Sequence, residues 1–240
     1  MNYYYITGTS RGIGKATAEK LLENQNNTVI GIARSQSIQH PRYRHVVLDL
    51  NMLEAVQAYQ FEQYTDAERI VLINNSGVLG DVKHIGKLDS QKIVSSFNIN
   101  LISPSILINS FVAAYQETKA EKIIINISSG AASHVVKSWS TYCSTKAGLE
   151  MYAKVLSEEL IEANNTDIKV FSIAPGIIDT EMQTEIRAIP DENFSGKSKF
   201  VSLKENNKLT SPAEVADNLE KVIDNPENFP EVVMDFRDLD

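Results

Sequence analysis

Cysteine is nearly absent from this sequence. Cys143 is the single cysteine among 240 residues, so an intrachain disulfide is excluded. A lone free thiol is typical of a reducing compartment, and the first residues, MNYYYITG, lack the basic segment and apolar stretch of a secretory signal. We therefore expect a cytoplasmic protein.

Basic runs and long apolar runs are also missing. The chain has 23 lysine and arginine residues against 31 acidic residues, which gives a formal net charge of −8. Because nucleic acids and anionic membranes are bound by clustered cations, we expect neither as a partner. No apolar run approaches the ~20 residues that span a bilayer. The four histidines show no ligand spacing for a metal, so no metal site is expected.

What is present is an alternation of short apolar segments with longer amphipathic ones. Several apolar segments are hydrophobic at almost every position, which is typical of strands buried on both faces. The predicted strands are 3–7, 28–33, 45–50, 69–74, 122–128, 168–174 and 231–236. The predicted helices are 12–24, 51–63, 89–117, 139–164 and 211–224. This order predicts one α/β domain over residues 1–240, doubly wound, with a mainly parallel seven-stranded sheet and helices on both faces.

Two local signals refine this outline. The last helix opens with TSPAE, in which Ser211 is a predicted N-cap, Pro212 occupies the first helical position and Glu214 completes a capping box. The span 177–210 contains no predicted element and is too long for a simple connection. We expect it to be a flap over an active site.

A glycine loop follows the first predicted strand. The segment TGTSRGIG places Gly8, Gly12 and Gly14 between a strand and a helix. Glycine permits a tight turn and a close approach to a pyrophosphate, and the helix N-terminus offers N–H groups to the phosphates. An ordinary glycine-rich turn is the alternative, because the spacing differs from G-x-G-x-x-G. The position in the first βαβ unit favours nucleotide binding.

The end of the second predicted strand indicates which dinucleotide. NAD-binding domains usually carry an acidic residue there, whereas this chain reads VIGIARS, with Arg34 just past the strand. Arg11 stands in the glycine loop itself. Guanidinium groups attract a 2′-phosphate and a carboxylate repels it. Either arginine alone is more often a surface charge, but the missing acid favours NADP(H).

The segment STYCSTKAGLEMYAKV places Tyr142 and Lys146 four residues apart, on one face of a predicted helix. A solvated helix face is the ordinary explanation. An ammonium beside a phenol can also stabilise a phenolate, whose unperturbed pKa is ~10, and so permit proton transfer near neutral pH.

Together these motifs resemble the short-chain dehydrogenase/reductase family over essentially the whole chain. The resemblance implies a Rossmann fold, with Asp49 meeting the adenine ring and Ser76 standing where the family has alanine in its Asn-Asn-Ala-Gly segment. It implies that Ile178 and Thr180 contact the nicotinamide end. The complete implied cofactor set is Gly8, Ser10, Arg11, Gly12, Ile13, Gly14, Arg34, Asp49, Leu50, Asn75, Ser76, Gly77, Tyr142, Lys146, Pro175, Gly176, Ile178 and Thr180.

The resemblance also implies a catalytic set. Tyr142 would be the general acid in carbonyl reduction, and Lys146 would lower its pKa and hold the nicotinamide ribose. Ser129 lies thirteen residues before Tyr142, which selects it over Ser128 as the group that polarises the carbonyl. Asn100, in FNINL, would hold a water that links Lys146 to bulk protons.

Within the family, NISSGA, YCSTKAG, PGIIDTEMQ and MDFRD are similar to the branch of sepiapterin reductase and bacterial benzil reductase. This implies an NADPH-dependent reductase of a ketone, an α-dicarbonyl in particular, with Asp235 anchoring a pterin. Asp235 is otherwise a solvated acid in an acidic C-terminus.

Two other functions remain open, namely an alcohol dehydrogenase or ketone reductase of lipid or sugar metabolism, and a non-catalytic NADP-binding regulatory protein. The stripe Leu149, Tyr152, Leu156 and Leu160 implies, through the family, a homodimer or homotetramer.

Overall fold

One parallel sheet organises the computed structural model, which describes residues 1–238. Its strand order is β3-β2-β1-β4-β5-β6-β7, and all six strand pairings are parallel. The strands are β1 Asn2–Thr7, β2 Asn27–Ala33, β3 Tyr43–Val47, β4 Arg69–Asn74, β5 Glu121–Ile127, β6 Ile168–Ala174 and β7 Val233–Asp235. The helices are α1 Gly12–Leu21, α2 Leu53–Ala58, α3 Ser90–Phe97, α4 Ser103–Tyr115, α5 Ser140–Glu162, α6 Glu181–Ala188, α7 Lys197–Glu205 and α8 Pro212–Asp224. The predicted doubly wound fold is confirmed.

Both faces of the sheet are covered, which explains the continuous apolar strands. In β5, Ile123 and Ile125 pack into one core with α1 and α8. Ile124, between them, packs into the opposite core with α4 and α5. All three isoleucines are fully buried, because successive side chains of a strand point to opposite faces.

The predicted helix 51–63 is wrong in its second half. α2 ends at Ala58, and Tyr59 already has extended backbone (φ −67°, ψ 130°). The extended segment that follows inserts Phe61 edge-on against Tyr5 and Phe111 in the core. Burial of an aromatic ring outweighs the small helical preference of the segment.

The predicted helix 89–117 is confirmed but not uniform. A π-helical turn, Asn98–Ile102, separates α3 from α4 within one continuous stretch. By length and composition, Ser90–Tyr115 is the one helix of residues 1–238 that is apolar enough to cross a membrane. A core helix meets the same criterion, and here Leu107, Phe111 and Tyr115 are fully buried against the sheet.

The capping box of α8 is confirmed: Oγ of Ser211 accepts from the Glu214 amide at 3.2 Å, and the Glu214 carboxylate accepts from the Ser211 amide at 2.7 Å. The span 177–210 is not irregular, since it contains α6 and α7. Its two ends are pinned together by a parallel bridge between Ile178 and Thr210. We call this segment, residues 177–210, the flap.

Candidate active site

The glycine loop joins β1 to α1 at the carboxyl edge of the sheet. Gly8 has φ +77°, a backbone region that other residues rarely adopt. A Cβ on Gly14 would lie 2.5 Å from the Gly8 carbonyl oxygen and 2.4 Å from Nδ2 of Asn75, so only glycine fits between them. The glycine loop therefore packs closely against the loop that carries Asn75.

The amino end of α1 is open to a phosphate. Its N-cap residue, Arg11, makes no side-chain capping bond, so the first amides of the helix keep their donors and the positive end of the dipole. Ile13 packs into the core behind the loop, and Ser10 is half-buried within it. These features fit the pyrophosphate of a dinucleotide.

The two arginines predicted to bind a 2′-phosphate differ in their surroundings. Arg34 is exposed and has no ion pair or hydrogen bond among residues 1–238. Its loop is tied to the glycine loop, because Oγ of Ser37 donates to the Thr9 carbonyl at 3.1 Å. Arg11, in contrast, is paired with Glu181 at the start of the flap.

Asp49 and Leu50 follow β3, two strands from the glycine loop. One carboxylate oxygen of Asp49 accepts from the Asn51 amide at 2.9 Å, which leaves its second oxygen available to an adenine amino group. Leu50 is buried in the core beneath. The positions fit the adenine end of a dinucleotide.

The loop after β4 docks on the end of β1. The amides of Asn75 and Ser76 both donate to Oγ1 of Thr7 at 3.0 Å, and Nδ2 of Asn75 donates to the Thr7 carbonyl at 2.9 Å. Gly77 comes next, and a Cβ there would lie 3.6 Å from both Asn100 Oδ1 and Lys146 Nζ. This loop thus connects the cofactor end of the cleft to the catalytic residues.

Asn100 reaches this place through the π-helical turn, whose extra residue per turn shifts the following helix. Its Oδ1 accepts from the Val78 amide at 2.9 Å, and Nδ2 donates to the Val78 carbonyl at 2.8 Å and to Oγ1 of Thr145 at 3.2 Å. The amide therefore joins the β4 loop to α5. A water at the Asn100 side chain would be left with one lone pair of Oδ1.

Tyr142 and Lys146 lie on the inner face of α5, and both are buried. Nζ of Lys146 donates to the Ile127 carbonyl at 2.6 Å and lies 5.8 Å from the centroid of the Tyr142 ring. Ser129, just after β5, accepts from the Ala131 amide at 3.2 Å. The structure thus brings together the phenol, the ammonium and the hydroxyl that the sequence indicated.

Burial dominates the proton affinities of this group. It raises the pKa of the Tyr142 phenol, and the nearby Ser129 hydroxyl acts in the opposite direction. Burial lowers the pKa of Lys146 to about 8. The expected lowering of the Tyr142 pKa by Lys146 is not found, because the ammonium is directed at the Ile127 carbonyl. A phenol with a raised pKa is fully protonated near neutral pH, as a general acid must be.

The segment after β6 turns along the same edge. Pro175 and Ile178 are buried, and Gly176 is half-buried between them. Thr180 reaches the glycine loop, where a Cβ on Gly12 would meet its methyl group at 3.5 Å. These residues close the cleft on the side of the flap, where the nicotinamide end of a cofactor would lie.

An aromatic wall covers Tyr142, and the sequence did not identify it. Trp139 meets the Tyr142 ring edge-on at 5.7 Å, stacks on Phe194 at 5.4 Å and lies 5.6 Å from Phe200. Phe194 and Phe200 belong to the flap. The only sequence signal for this contact is the spacing of two phenylalanines in an otherwise polar segment.

The structure places Asp235 differently from the pterin hypothesis. β7 pairs with β6 so that Asp235 lies beside Ala174, at the substrate end of the cleft. Both of its carboxylate oxygens are engaged by Arg237, through the amide (2.9 Å), Nε (2.8 Å) and the terminal guanidinium nitrogen. These bonds hold the pKa of Asp235 below its usual value. The edge that would accept two N–H bonds from a pterin is occupied.

In residues 1–238 no group of three histidine, cysteine, aspartate or glutamate side chains is arranged to hold a metal ion. The remaining chemistry of the cleft is that of a phenol, an ammonium and a hydroxyl beside a dinucleotide cradle.

Comparison with known proteins agrees with this geometry. The family described as short chain dehydrogenase matches residues 2–191. A benzil reductase ((S)-benzoin forming) from Bacillus cereus is 36% identical over 247 residues, covering 96% of this chain and 97% of the relative. A sepiapterin reductase from Xenopus tropicalis is 30% identical over 203 residues, covering 76% of each chain. The crystal structure of a short-chain dehydrogenase/reductase from Saccharomyces cerevisiae superposes with a TM-score of 0.85 at 25% identity, covering 100% of this chain and 97% of the other.

Proposed function

The chain belongs to the short-chain dehydrogenase/reductase family, and we propose that it is an NADPH-dependent carbonyl reductase that acts on α-dicarbonyls. The observation that carries the proposal is the position of Tyr142. Its phenol is buried and protonated, lies beside the Ser129 hydroxyl, and is covered by an apolar aromatic wall. Such a site suits the donation of a proton to a carbonyl oxygen in a water-poor cleft.

Each protein group has a defined task in this proposal. NADPH, when bound, would supply the hydride to the carbonyl carbon. Ser129 would donate a hydrogen bond to the carbonyl oxygen and polarise it, and Tyr142 would transfer its proton to that oxygen as charge develops there. Lys146, whose Nζ lies 5.8 Å from the centroid of the Tyr142 ring, would stabilise the phenolate that forms as the proton leaves, because opposite charges attract strongly in a water-poor cleft.

The preference for NADPH rests on Arg34. Its guanidinium is exposed beside the glycine loop, and no carboxylate stands at the end of β2. A 2′-phosphate would gain a charge-assisted hydrogen bond from this side chain. Arg11 would contribute after giving up Glu181.

The preference for an α-dicarbonyl rests on two observations. The wall formed by Trp139, Phe194 and Phe200 suits an aromatic or otherwise apolar substituent. The relative that matches nearly the whole chain at 36% identity is a benzil reductase. Benzil combines two aromatic rings with two adjacent carbonyls.

We also propose a homo-oligomer. Of the predicted stripe, Leu149 and Leu160 are buried in the core and cannot lie at an interface. The exposed apolar side chains of α5 include Met151, Tyr152 and Val155, which are 58%, 36% and 48% exposed. Covering them with a second copy would remove apolar surface from water. Light scattering that reports a species of 26.7 kDa alone would contradict this proposal.

The test of the function is reduction of benzil with NADPH or NADH, followed by the near-ultraviolet absorbance of the reduced cofactor. We expect NADPH to be consumed in step with benzoin formation and NADH to be used poorly. Sepiapterin and simple ketones complete the substrate panel. Absence of turnover with every carbonyl would contradict the enzymatic proposal, and equal use of both cofactors would contradict the role of Arg34.

A further inference from the structure

Arg237 is a cation at the substrate end of the cleft for which the proposed reaction has no use. It follows β7, the edge strand, and its side chain is 60% exposed. β7 is parallel to β6, and Asp235 pairs with Ala174, directly before Pro175 and Gly176. The loop that carries Arg237 therefore lies at the same carboxyl edge of the sheet as Ser129.

The contacts of Arg237 place it next to the catalytic hydroxyl. Its terminal nitrogen lies 3.6 Å from where a Cβ on Gly130 would stand, and Gly130 directly follows Ser129. Its methylene groups lie 3.6 and 3.8 Å from where a Cβ on Gly176 would stand. The side chain thus crosses from the loop after β6 to the loop after β5, and it runs over two glycines that leave room for it.

Asp235 fixes the direction of the guanidinium. The carboxylate is only 18% exposed and takes one N–H from Nε and one from the adjacent terminal nitrogen. A guanidinium has five N–H groups, so three remain for other acceptors. Among residues 1–238 none of the three has an acceptor within hydrogen-bond distance. The Asp235–Arg237 pair is neutral as a whole, and the remaining N–H groups of Arg237 are held in fixed directions at the mouth of the cleft.

We propose that Arg237 is a specificity-determining residue that donates a hydrogen bond to an oxygen on the carbon next to the reacting carbonyl. This inference rests on the proposed function and names the group that recognises its substrate class. Ser129 would hold the reacting oxygen, and Arg237, beyond Gly130, would hold the second one. Since Asp235 cancels the charge of Arg237, a neutral carbonyl oxygen is bound through the geometry of the donors and does not require an anion.

Asp235 then has an indirect role. It positions Arg237 and does not itself bind the substrate, whereas the pterin hypothesis assigned it direct contact with the substrate. Asp235→Asn should keep one hydrogen bond to Arg237 and lose the second. We expect it to lower kcat/KM for substrates that carry the second oxygen. The same variant should leave substrates without that oxygen unaffected.

The experiment compares benzil with deoxybenzoin, which has the same two rings and lacks one carbonyl oxygen. The variants are Arg237→Met, which keeps the length of the side chain, and Arg237→Lys, which keeps the charge without the fork. Arg187→Met, on the flap helix α6, is the control for loss of an arginine elsewhere on the flap. Because benzil is intrinsically more reactive, each substrate is compared across variants and not with the other substrate.

We expect Arg237→Met to lower kcat/KM for benzil by about tenfold to a hundredfold, the range for loss of a hydrogen bond from a charged donor. Deoxybenzoin should change by less than about threefold, and Arg237→Lys should be intermediate. A third probe, phenylglyoxylate, has a carboxylate in place of the second benzoyl group, so it keeps an oxygen on the carbon next to the reacting carbonyl and lacks the second ring. If Arg237→Met lowers kcat/KM as much for phenylglyoxylate as for benzil, Arg237 recognises a carboxylate oxygen as well as a ketone oxygen at this position.

A second measurement does not depend on turnover. Trp139 is the single tryptophan of the sequence and lies in the wall beside Tyr142, so its fluorescence reports ligands bound there. Benzil should quench it with weaker affinity in Arg237→Met than in wild type, in the presence of NADP+. Equal effects of Arg237→Met on both ketones, in kinetics or in binding, would overturn the inference while leaving the reductase proposal intact. If wild type reduces no carbonyl, the function proposal fails, and the fluorescence titration still decides the role of Arg237.

Discussion

The two halves of the cleft are built by different kinds of bond. In the half formed by the loops after β1, β2 and β4, side chains bond mainly to the main chain, as Asn75 does to Thr7 and Ser37 does to Thr9. In the half formed by the loops after β5, β6 and β7, side chains contact one another, as Trp139 contacts Phe194 and Asp235 contacts Arg237. The first half is held together mainly through its backbone. The second half depends more on contacts between side chains, although Lys146 and Ser129 also bond to the backbone there.

This difference separates the two tasks of the proposed enzyme. A dinucleotide is the same ligand in every turnover, and a backbone cradle suits it because glycine amides and a helix end offer fixed donors. A carbonyl substrate is recognised by shape and by one or two polar atoms, which exchangeable side chains provide. Substitutions in the first half should change cofactor affinity, and those in the second should change turnover and substrate choice.

The largest expected effect tests the chemistry where the halves meet. Tyr142→Phe removes the transferable proton and keeps the ring against Trp139, so turnover should fall at least ~100-fold while NADPH affinity stays close to normal. Steady-state kinetics and a cofactor titration measure both. Tyr152→Phe, on the exposed face of the same helix, is the control. A wild-type rate in Tyr142→Phe would remove Tyr142 from the mechanism.

The next effect belongs to the cofactor half alone. Arg34→Asp exchanges an attraction for a repulsion at the predicted 2′-phosphate, so NADPH should bind about tenfold to a hundredfold more weakly. NADH should bind as before or more tightly. Lys169→Asp, an exposed residue of β6 with the same change of charge, is the control. Parallel losses for both cofactors would show that Arg34 does not distinguish them.

A smaller effect tests the ion pair that connects the two halves. Glu181→Gln frees Arg11 for the phosphate, and NADPH should bind up to about fivefold more tightly, since an exposed pair is worth at most ~1 kcal/mol. The control is Glu185→Gln, one turn further along α6. Weaker binding of NADPH by Glu181→Gln would mean that Glu181 positions Arg11 and does not compete for it.

The last prediction concerns the dependence of stability on pH. Burial lowers the pKa of Lys146 from its ordinary value of 10.5 to about 8, so the folded protein binds fewer protons than the unfolded chain between these values. The free energy of unfolding should therefore rise as the pH increases from about 8 to 10.5, and this increase should be lost as the pH falls through about 8. In Lys146→Met this contribution should vanish. Identical pH profiles of Tm for the two proteins would show that the buried ammonium is not destabilising.

Much of the fold is determined by the sequence itself. The continuous apolar runs of the strands indicate that both faces of the sheet are buried, because only a sheet covered on both sides accommodates them. Ser211 and Glu214 are three residues apart and form the capping box without help from distant parts of the chain. Tyr142 and Lys146 share a helix face for the same reason. Periodicity and short-range hydrogen bonds depend on residues that are close together in the sequence, so they can be predicted from it.

The tertiary structure alone decided the rest. Arg11 is paired with Glu181, 170 residues away, because the flap returns to the glycine loop. The helix after Ala58 gives way to the burial of Phe61, and a π-helical turn brings Asn100 to Val78. Arg237 reaches Gly130 because β7 joins the sheet at its edge. These contacts depend on which loops end at the same edge of the sheet, and local pattern carries no information about that meeting.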